Sequence, residues 1–179
     1  YSSCCCHWNR CTLHRACTCT IKCTLTFALS LHRVAVQVSD EAMAAAKTNQ
    51  LLNDVQNVRF TKHDLFELSP RTRSFLRNLP PGINKLLVDP PRSGCEQALR
   101  MCLQSLQHTL ERIVYVSCNA VTQASDVAAI TAEFPSFELS ALLVFDNFPN
   151  TSHTESIVVL TKRPPSSDPA TDTSTNSME

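Results

Sequence analysis

Glycine is almost missing from this sequence: only Gly82 and Gly94 occur among its 179 residues. This excludes a glycine-rich ligand-binding turn upstream of Gly82. The net charge is zero, because 16 basic residues offset 16 acidic ones. Bulk charge therefore gives no support to a nucleic-acid partner. Long apolar runs are also lacking, and we expect no membrane span because the best candidate, residues 24–31, is too short. The length is nevertheless sufficient for one domain with a real core.

The ten cysteines are placed unevenly. A disulfide framework would staple the whole domain, and no Cys-x-x-Cys pair is followed by matching ligands, so we expect no bound metal. The body of the chain is typical of a reduced, intracellular protein, which we expect to be cytoplasmic, with an organelle or the nucleus as alternatives. Seven of the ten lie in the first 23 residues: Cys4, Cys5, Cys6, Cys11, Cys17, Cys19 and Cys23.

The composition divides the chain into three parts. Residues 1–30, rich in Cys, Thr and His, have no regular period; they are either a metal-binding tail or a segment outside the fold, and we favour the second. Residues 31–163 form the predicted domain. Residues 164–179 are mostly Pro, Ser, Thr and Asp and cannot bury enough apolar surface to order themselves, so we expect a disordered tail.

Within the predicted domain, runs rich in β-branched residues alternate with amphipathic segments. This alternation predicts an α/β fold with a mostly parallel sheet, helices on both faces and a reversed strand at the end. The predicted strands are 33–38, 57–61, 85–89, 112–117, 137–145 and 156–161, and the predicted helices are 40–53, 71–78, 97–106 and 121–134.

The stretch K-L-L-V-D-P-P-R-S-G is a strand that ends in a stiff turn. Prolines cannot continue a ladder, so Asp89 and Arg92 are presented at the carboxyl end of the strand, where ligands bind in open α/β sheets. Asp89 can accept hydrogen bonds from a ligand, although an aspartate that caps a turn is common.

Cys118 follows another buried strand and stands at the start of a helix, where the thiolate form of a cysteine is favoured. A lone cysteine is usually a small core residue. Cys95 also opens a helix but has no accompanying polar group, and Cys102 lies on an apolar helix face. The position and neighbours of Cys118 therefore favour a nucleophile.

Glu155 opens the final strand after a polar turn that contains proline. A carboxylate partly removed from water is a stronger base, which suits proton abstraction. The alternative is a surface carboxylate at the start of a strand.

Three motifs, D-P-P-R-S-G, S-C-N-A and D-N-F-P-N-T-S-H-T-E, follow one another in the chain. Together they resemble the S-adenosylmethionine-dependent RNA uracil-5-methyltransferases, which modify a uridine in tRNA or rRNA. The resemblance runs from about Arg33 to Lys162. It implies a class I methyltransferase (Rossmann-like) fold, S-adenosyl-L-methionine as cofactor and RNA as partner. On it, Cys118 falls on the nucleophile, Glu155 on the general base and Asp89 on a contact to the methyl donor.

Two departures from the family accompany this resemblance. Gln37 falls where the family has an acidic residue that binds the donor's ribose, and an amide offers one acceptor oxygen where an acid offers two. The first strand and its glycine-rich donor loop, expected before Arg33, are missing or replaced, since residues 1–32 contain no glycine. We therefore expect a fragment of a catalytic domain that can be inactive by itself.

The implied chemistry explains these residue types. A thiolate that adds to carbon 6 of uracil makes carbon 5 nucleophilic toward a methyl group, and a base then removes the proton of carbon 5. The target base has to leave its stack to reach the pocket. Arg92 and Asn119 are candidates for orienting the base or the donor.

Four alternatives stay open. The first is an RNA cytosine-5-methyltransferase. Such enzymes have a turn motif that looks like D-A-P-C-S-G, and this chain has Arg92 in place of the cysteine. A methyltransferase of exocyclic amines shares the Pro-Pro pair but needs no nucleophilic cysteine. The third is an inactive remnant that binds RNA or a partner, and the fourth is a cysteine-rich metal-binding protein. The sequence predicts neither the RNA that is modified nor the oligomeric state.

Overall fold

The computed structural model describes residues 24–28, 33–147, 149–151 and 154–164. Within them the chain forms seven strands and four helices, and every predicted element is present to within one or two residues. In chain order they are β1 (Thr24–Ala28), β2 (Arg33–Gln37), α1 (Asp40–Leu52), β3 (Val58–Lys62), α2 (Pro70–Arg77), β4 (Lys85–Asp89), α3 (Glu96–Leu106), β5 (Arg112–Ser117), α4 (Ala120–Glu133), β6 (Phe137–Phe145) and β7 (Glu155–Lys162).

The strands form one sheet in the order β3-β2-β1-β4-β5-β7-β6. β2 runs parallel to β3 and β4 parallel to β5, whereas β7 runs antiparallel to both β5 and β6. The predicted α/β fold with a reversed terminal strand is confirmed. Five of the seven strands run in one direction, but the sheet is mixed, because only two of its six strand pairings are parallel.

β1 is the one element that the sequence did not predict. It lies at the centre of the sheet and runs antiparallel to both neighbours, with Leu25 opposite Val36 and Thr24 opposite Asp89. The expectation that this segment lies outside the fold is therefore corrected for residues 24–28. A strand does occupy the position of the missing first strand, but in the reverse direction. T-L-T-F-A has strand character, yet no glycine or proline bounds it, so nothing in the sequence marked its ends.

The helices cover the two faces of the sheet unequally. Right-handed crossovers in opposite directions from the sheet centre place α1 on one face and α2, α3 and α4 on the other. On β4, Leu86 and Val88 are completely buried beneath the three-helix layer, whereas Leu87, which points to the opposite face, is 40 % exposed. The core therefore lies between this layer and strands β4, β5 and β7. Among the described residues, no helix has the length and apolar character needed to cross a membrane.

Candidate active site

The four predicted site residues lie at one edge of the sheet, namely the one that the carboxyl ends of β2, β4 and β5 form. Gln37 ends β2, Asp89 ends β4, Cys118 follows β5 and Glu155 opens β7. β1 is antiparallel to both β2 and β4, so β2, β4 and β5 run in the same direction, and β7 runs against them. The four positions therefore lie at the same edge of the sheet. Strands in a sheet are about 4.8 Å apart, so the row from β2 across β1, β4 and β5 to β7 spans about 20 Å.

The pairing of β5 with β7 places the strand ends that adjoin Cys118 and Glu155 side by side. Ser117 and Ser156 are directly opposite one another in the antiparallel ladder. In such a ladder, opposed Cα atoms are about 4.5–5.5 Å apart. Cys118 follows Ser117 and Glu155 precedes Ser156, so both residues adjoin the last pair of the ladder. Both residues are half-buried.

A buried polar network lies directly behind this pair. The Ser156 hydroxyl donates to Gln123 Oε1 at 2.7 Å and lies 3.2 Å from the Ser117 carbonyl oxygen. Gln123 Nε2 donates to the Tyr115 carbonyl oxygen at 2.8 Å. Gln123, Ser117 and Ser156 are each at most 2 % exposed, so these bonds are shielded from water. The network ties α4 to the ends of β5 and β7 and thereby fixes their register at the site.

Asn119 holds the backbone around Cys118. Its backbone nitrogen donates to Ser117 Oγ at 3.0 Å. Its side-chain oxygen accepts from the backbone nitrogen atoms of Val121 at 3.1 Å and Thr122 at 3.4 Å. Asn119 is thus the N-cap of α4. Cys118 lies between the end of a strand and the start of a helix, as the sequence predicted.

Burial separates the three cysteines of the described part of the chain, none of which forms a disulfide. Cys102 is completely buried, and burial raises the pKa of its thiol to about 12. Cys95 is the N-cap of α3 and is 5 % exposed. Cys118 alone of the three is half-buried and therefore accessible to a reagent or substrate.

The proline turn after β4 contacts the same helix. The Gly94 nitrogen donates to the Pro91 carbonyl oxygen at 3.0 Å, which closes the turn. The Arg92 carbonyl oxygen accepts from Asn119 Nδ2 at 3.1 Å and from Thr122 Oγ1 at 3.0 Å. The backbone of Arg92 is therefore bound to the residue that follows Cys118.

Gln37 is 4 % exposed, and its side-chain oxygen accepts from the nitrogen atoms of Val38 at 2.7 Å and Ser39 at 3.1 Å. The single acceptor oxygen that the amide offers is thus already bonded to the local backbone. Asp89 is half-buried at the end of β4. The donor contacts assigned to these two residues stay predictions.

Some of the predicted features lie outside the described residues. They include Phe148, Ser152 and His153 of the third motif, the seven cysteines of the first 23 residues and the predicted tail from residue 165. Within the described part, no group of three or more His, Cys, Asp or Glu side chains is arranged to hold a metal ion.

Sequence reasoning missed the buried polar side chains of α4, Gln123 and Asp126. A signal was present, because both fall on the same helix face as the buried Ile130. A polar residue at a core position of an amphipathic helix is expected to have a buried partner. The partners themselves, Tyr115 and Ser156, follow only from the strand pairing.

The chain was compared with known proteins. A family model described as tRNA (Uracil-5-)-methyltransferase matches residues 16–163. An uncharacterized RNA methyltransferase of Enterococcus faecalis is 39 % identical over 127 residues, which are 71 % of this chain and 26 % of that protein. A tRNA (uracil(54)-C(5))-methyltransferase of Schizosaccharomyces pombe is 33 % identical over 131 residues, which are 72 % of this chain and 24 % of that protein.

A 23S rRNA (uracil(1939)-C(5))-methyltransferase of Xanthomonas oryzae is 39 % identical over 142 residues, which are 76 % of this chain and 30 % of that protein. Among solved structures, the tRNA (uracil-54, C5)-methyltransferase of Pyrococcus abyssi in complex with S-adenosyl-L-homocysteine aligns with a TM-score of 0.53 and 27 % identity. That alignment covers 70 % of this chain and 28 % of the other. The chain thus spans 24–30 % of the length of these relatives, and its fold is a partial class I methyltransferase fold.

Proposed function

The chain belongs to the tRNA (uracil-5-)-methyltransferase family, and from this premise we propose that the protein methylates carbon 5 of a uridine in tRNA or rRNA inside the cell. Cys118 is the nucleophile, Glu155 is the general base and S-adenosyl-L-methionine is the methyl donor. The observation that carries the proposal is the pairing of Ser117 with Ser156, since Cys118 and Glu155 are the residues that adjoin this last pair of the ladder.

In the proposed mechanism the Cys118 thiolate forms a bond to carbon 6 of the uracil ring, and the ring electrons move onto oxygen 4. Carbon 5 becomes nucleophilic and would take the methyl group of bound S-adenosyl-L-methionine, with cleavage of the methyl–sulfur bond and departure of the donor as a neutral thioether. Glu155 then takes the proton from carbon 5. The electron pair of that C–H bond restores the double bond between carbons 5 and 6 and expels the Cys118 thiolate. The half-buried position of Glu155 suits a base that works at a partly dehydrated ring.

The described residues fit the methyl donor in part. S-adenosyl-L-methionine supplies an electrophilic methyl group when it is bound. Asp89 lies half-buried at the edge where the donor has to approach Cys118, which supports its role as a donor contact. The oxygen of Gln37 is bonded to backbone nitrogen atoms, which leaves the ribose contact less well supported.

A methylation assay on the full-length protein tests the proposal. With RNA that carries tritium on carbon 5 of uridine, the wild type should release tritium into water. Cys118→Ser should lower this release by at least about a thousandfold, because a hydroxyl is a far weaker nucleophile than a thiolate. Cys95→Ala, a change at the other cysteine that opens a helix, should retain the activity. Tritium release that survives Cys118→Ser would reject the nucleophile.

The base is tested separately. Glu155→Gln keeps the shape of the side chain but cannot take up the proton, so methyl transfer should proceed while the RNA stays attached through Cys118. A denaturing gel should then show a methylated covalent complex that accumulates in the variant and not in the wild type. Normal turnover by Glu155→Gln would remove Glu155 from the mechanism.

A second candidate function, an inactive remnant that binds RNA or a partner, is favoured by the direction of β1. Because β1 is reversed, its amino end, Thr24, lies at the donor edge, and no glycine precedes it in the chain. Calorimetric titration of the 179-residue chain with S-adenosyl-L-homocysteine separates the candidates. Heat of binding that is lost in Asp89→Ala supports the enzyme, and a flat titration supports the remnant. An RNA cytosine-5-methyltransferase would instead methylate cytidine and leave uridine RNA unchanged.

A further inference from the structure

Asp126 is a carboxylate inside the protein that the proposed mechanism does not use. It lies on α4, two turns after Asn119, and is 6 % exposed. Its Oδ2 atom accepts two hydrogen bonds of 2.7 Å, one from the Cys95 nitrogen and one from the Tyr115 hydroxyl. A buried carboxylate is costly unless it is bonded in this way. Burial, the neighbouring Cys95 thiol and Asp126 raise the pKa of Tyr115, so the phenol stays a donor.

Asp126 is also in close contact with the proline turn. A Cβ atom added at Gly94 would lie 2.6 Å from Asp126 Oδ2 and 3.0 Å from Oδ1. Gly94 has a φ of +84°, a conformation that side chains disfavour. One of the two glycines in the chain is thus located where the turn both bends and touches this carboxylate.

Three residues on one face of α4 bind the same turn. Asn119 and Thr122 donate to the Arg92 carbonyl oxygen, and Asp126 accepts from Cys95 three residues later. Their spacing of three and four residues puts them in one row along the helix. We call Asn119, Thr122 and Asp126 the turn clamp. The helix that carries it begins directly after Cys118.

We propose that Asp126 is a positioning residue: through the turn clamp it fixes the backbone of the proline turn and thereby keeps the positive charge of Arg92 near the Cys118 thiol. The proposal deepens the proposed function, on which it rests for the role of Cys118. The side chain of Arg92 is exposed, and its backbone carbonyl oxygen accepts from Asn119, the residue next to Cys118. A cation fixed there attracts negative charge to the thiol, whether the charge is a phosphate of the RNA or an oxygen of the ring under attack.

The experiment measures the charge around Cys118 with two thiol reagents that differ in sign. The 179-residue chain is treated with an anionic sulfonatoethyl or a cationic trimethylammonioethyl methanethiosulfonate, and labelling of Cys118 is followed by peptide mass spectrometry. The readout is the anion-to-cation rate ratio, in which differences of overall accessibility cancel. A role limited to stability does not change this ratio as long as the variant is folded.

Two variants of Asp126 separate its hydrogen bonds from its charge. Both accepted bonds end on one oxygen, so Asp126→Asn can keep them while it removes the charge. Asp126→Leu removes the charge and the bonds. Loss of a negative charge by itself would raise the ratio, whereas loss of the Arg92 position lowers it. We expect Asp126→Leu to lower the ratio about threefold or more, to the value of Arg92→Gln, and Asp126→Asn to retain at least the wild-type ratio.

The controls make each outcome decisive. Ser125→Ala, on the exposed side of α4, should leave the ratio unchanged. If circular dichroism shows that Asp126→Leu does not fold, Thr122→Val takes its place, because it removes a donor to the Arg92 carbonyl at a less buried position. A wild-type ratio in the folded Asp126→Leu or in its substitute overturns the proposal, and so does a wild-type ratio in Arg92→Gln.

This test does not depend on methyl transfer. A protein that shows the expected ratios but forms no adduct with RNA would contradict the proposed function and leave the turn clamp intact. A protein that forms the adduct with unchanged ratios would do the reverse.

Discussion

The cysteines illustrate what a single residue's surroundings decide. Cys102 and Cys118 are both reduced, yet only Cys102 is sealed in the core, where its pKa is about 12. Since the thiolate is the reactive form and an ordinary thiol has a pKa near 9, Cys102 should react about a thousandfold more slowly than an ordinary cysteine at pH 8. Iodoacetamide labelling of the native chain, resolved by peptide mapping, should modify Cys118 before Cys102. Comparable rates at Cys102 and Cys118 would contradict this description of the core.

His63 is a single residue that should make the stability of the fold depend on pH. Burial, and then the nearby Arg71, lower the pKa of His63 from 6.5, while its ring stacks on Phe75 with centroids 4.6 Å apart. The unfolded chain therefore binds this proton more readily than the native one. Stability from this source is present above about pH 6.5 and is lost as the pH falls through the lowered native pKa.

The free energy of unfolding in urea should accordingly fall between about pH 7.5 and about pH 5.5. The fall should be smaller in His63→Gln than in the wild type. His108→Gln, a change at an exposed histidine, should behave as the wild type does. Equal slopes for His63→Gln and the wild type would show that His63 does not carry this dependence.

At the residue scale the sequence predicted Cys118, Glu155 and Asp89 from their positions at strand ends, because an apolar run followed by a polar group marks such an end. It did not predict that the Gln37 oxygen bonds to Val38 and Ser39. Nor did it predict that Tyr115 and Asp126 are partners. Such contacts depend on which helix face meets which strand, and that is decided by packing over the whole domain.

Among the elements, the junction of β5, β7 and α4 is the one on which the site depends. Ser156→Ala should cost about 1–3 kcal/mol of unfolding free energy, because it removes the donor to the buried Gln123 oxygen. Gln123→Leu should be destabilising too, and the double variant should lose less than the sum of the two by about 1 kcal/mol. Urea unfolding of the four proteins measures this coupling. Strict additivity would mean that the network does not join the two elements.

A second prediction for the elements concerns self-association through β6, the outermost strand of the sheet. Its exposed apolar side chains lie on an unpaired edge, which favours association with other chains. Leu142→Lys should reduce self-association in sedimentation velocity without loss of stability, since Leu142 is 59 % exposed. Ser140→Lys adds the same charge to the same strand without removing an apolar group and should have the smaller effect. The exposed apolar residues of this strand are Leu139, Leu142, Leu143, Val144 and Phe145.

Element boundaries were predictable wherever a cap or breaker marks them. Ser39 caps α1 and Ser69 caps α2, and both are visible in the sequence as polar residues before a helical period. β1 has no such marks, which is why it was missed. Its reversed direction could not have been foreseen, because direction depends on the connection to β2 and not on the local pattern.

On the scale of the whole molecule, the alternation of strands and helices was sufficient to predict an α/β sheet with a reversed last strand, although not its central strand β1. It was also sufficient to predict that the polar strand ends share one edge, since parallel strands with right-handed crossovers leave no other arrangement. The uneven cover of the two faces was not predictable from periodicity, because Leu87 looks like any other core residue of β4. The central claim concerns the strand order, which makes β5 and β7 neighbours and so brings together the strand ends that adjoin Cys118 and Glu155.

The most direct measurement of that claim uses RNA that contains 5-fluorouridine. Fluorine on carbon 5 cannot be removed as a proton, so a covalent adduct that forms through carbon 6 persists. We expect the full-length protein, incubated with S-adenosyl-L-methionine and this RNA, to give a peptide that carries the nucleotide on Cys118, and Cys118→Ser to give none. An adduct on another residue, or one that survives Cys118→Ser, would contradict the account.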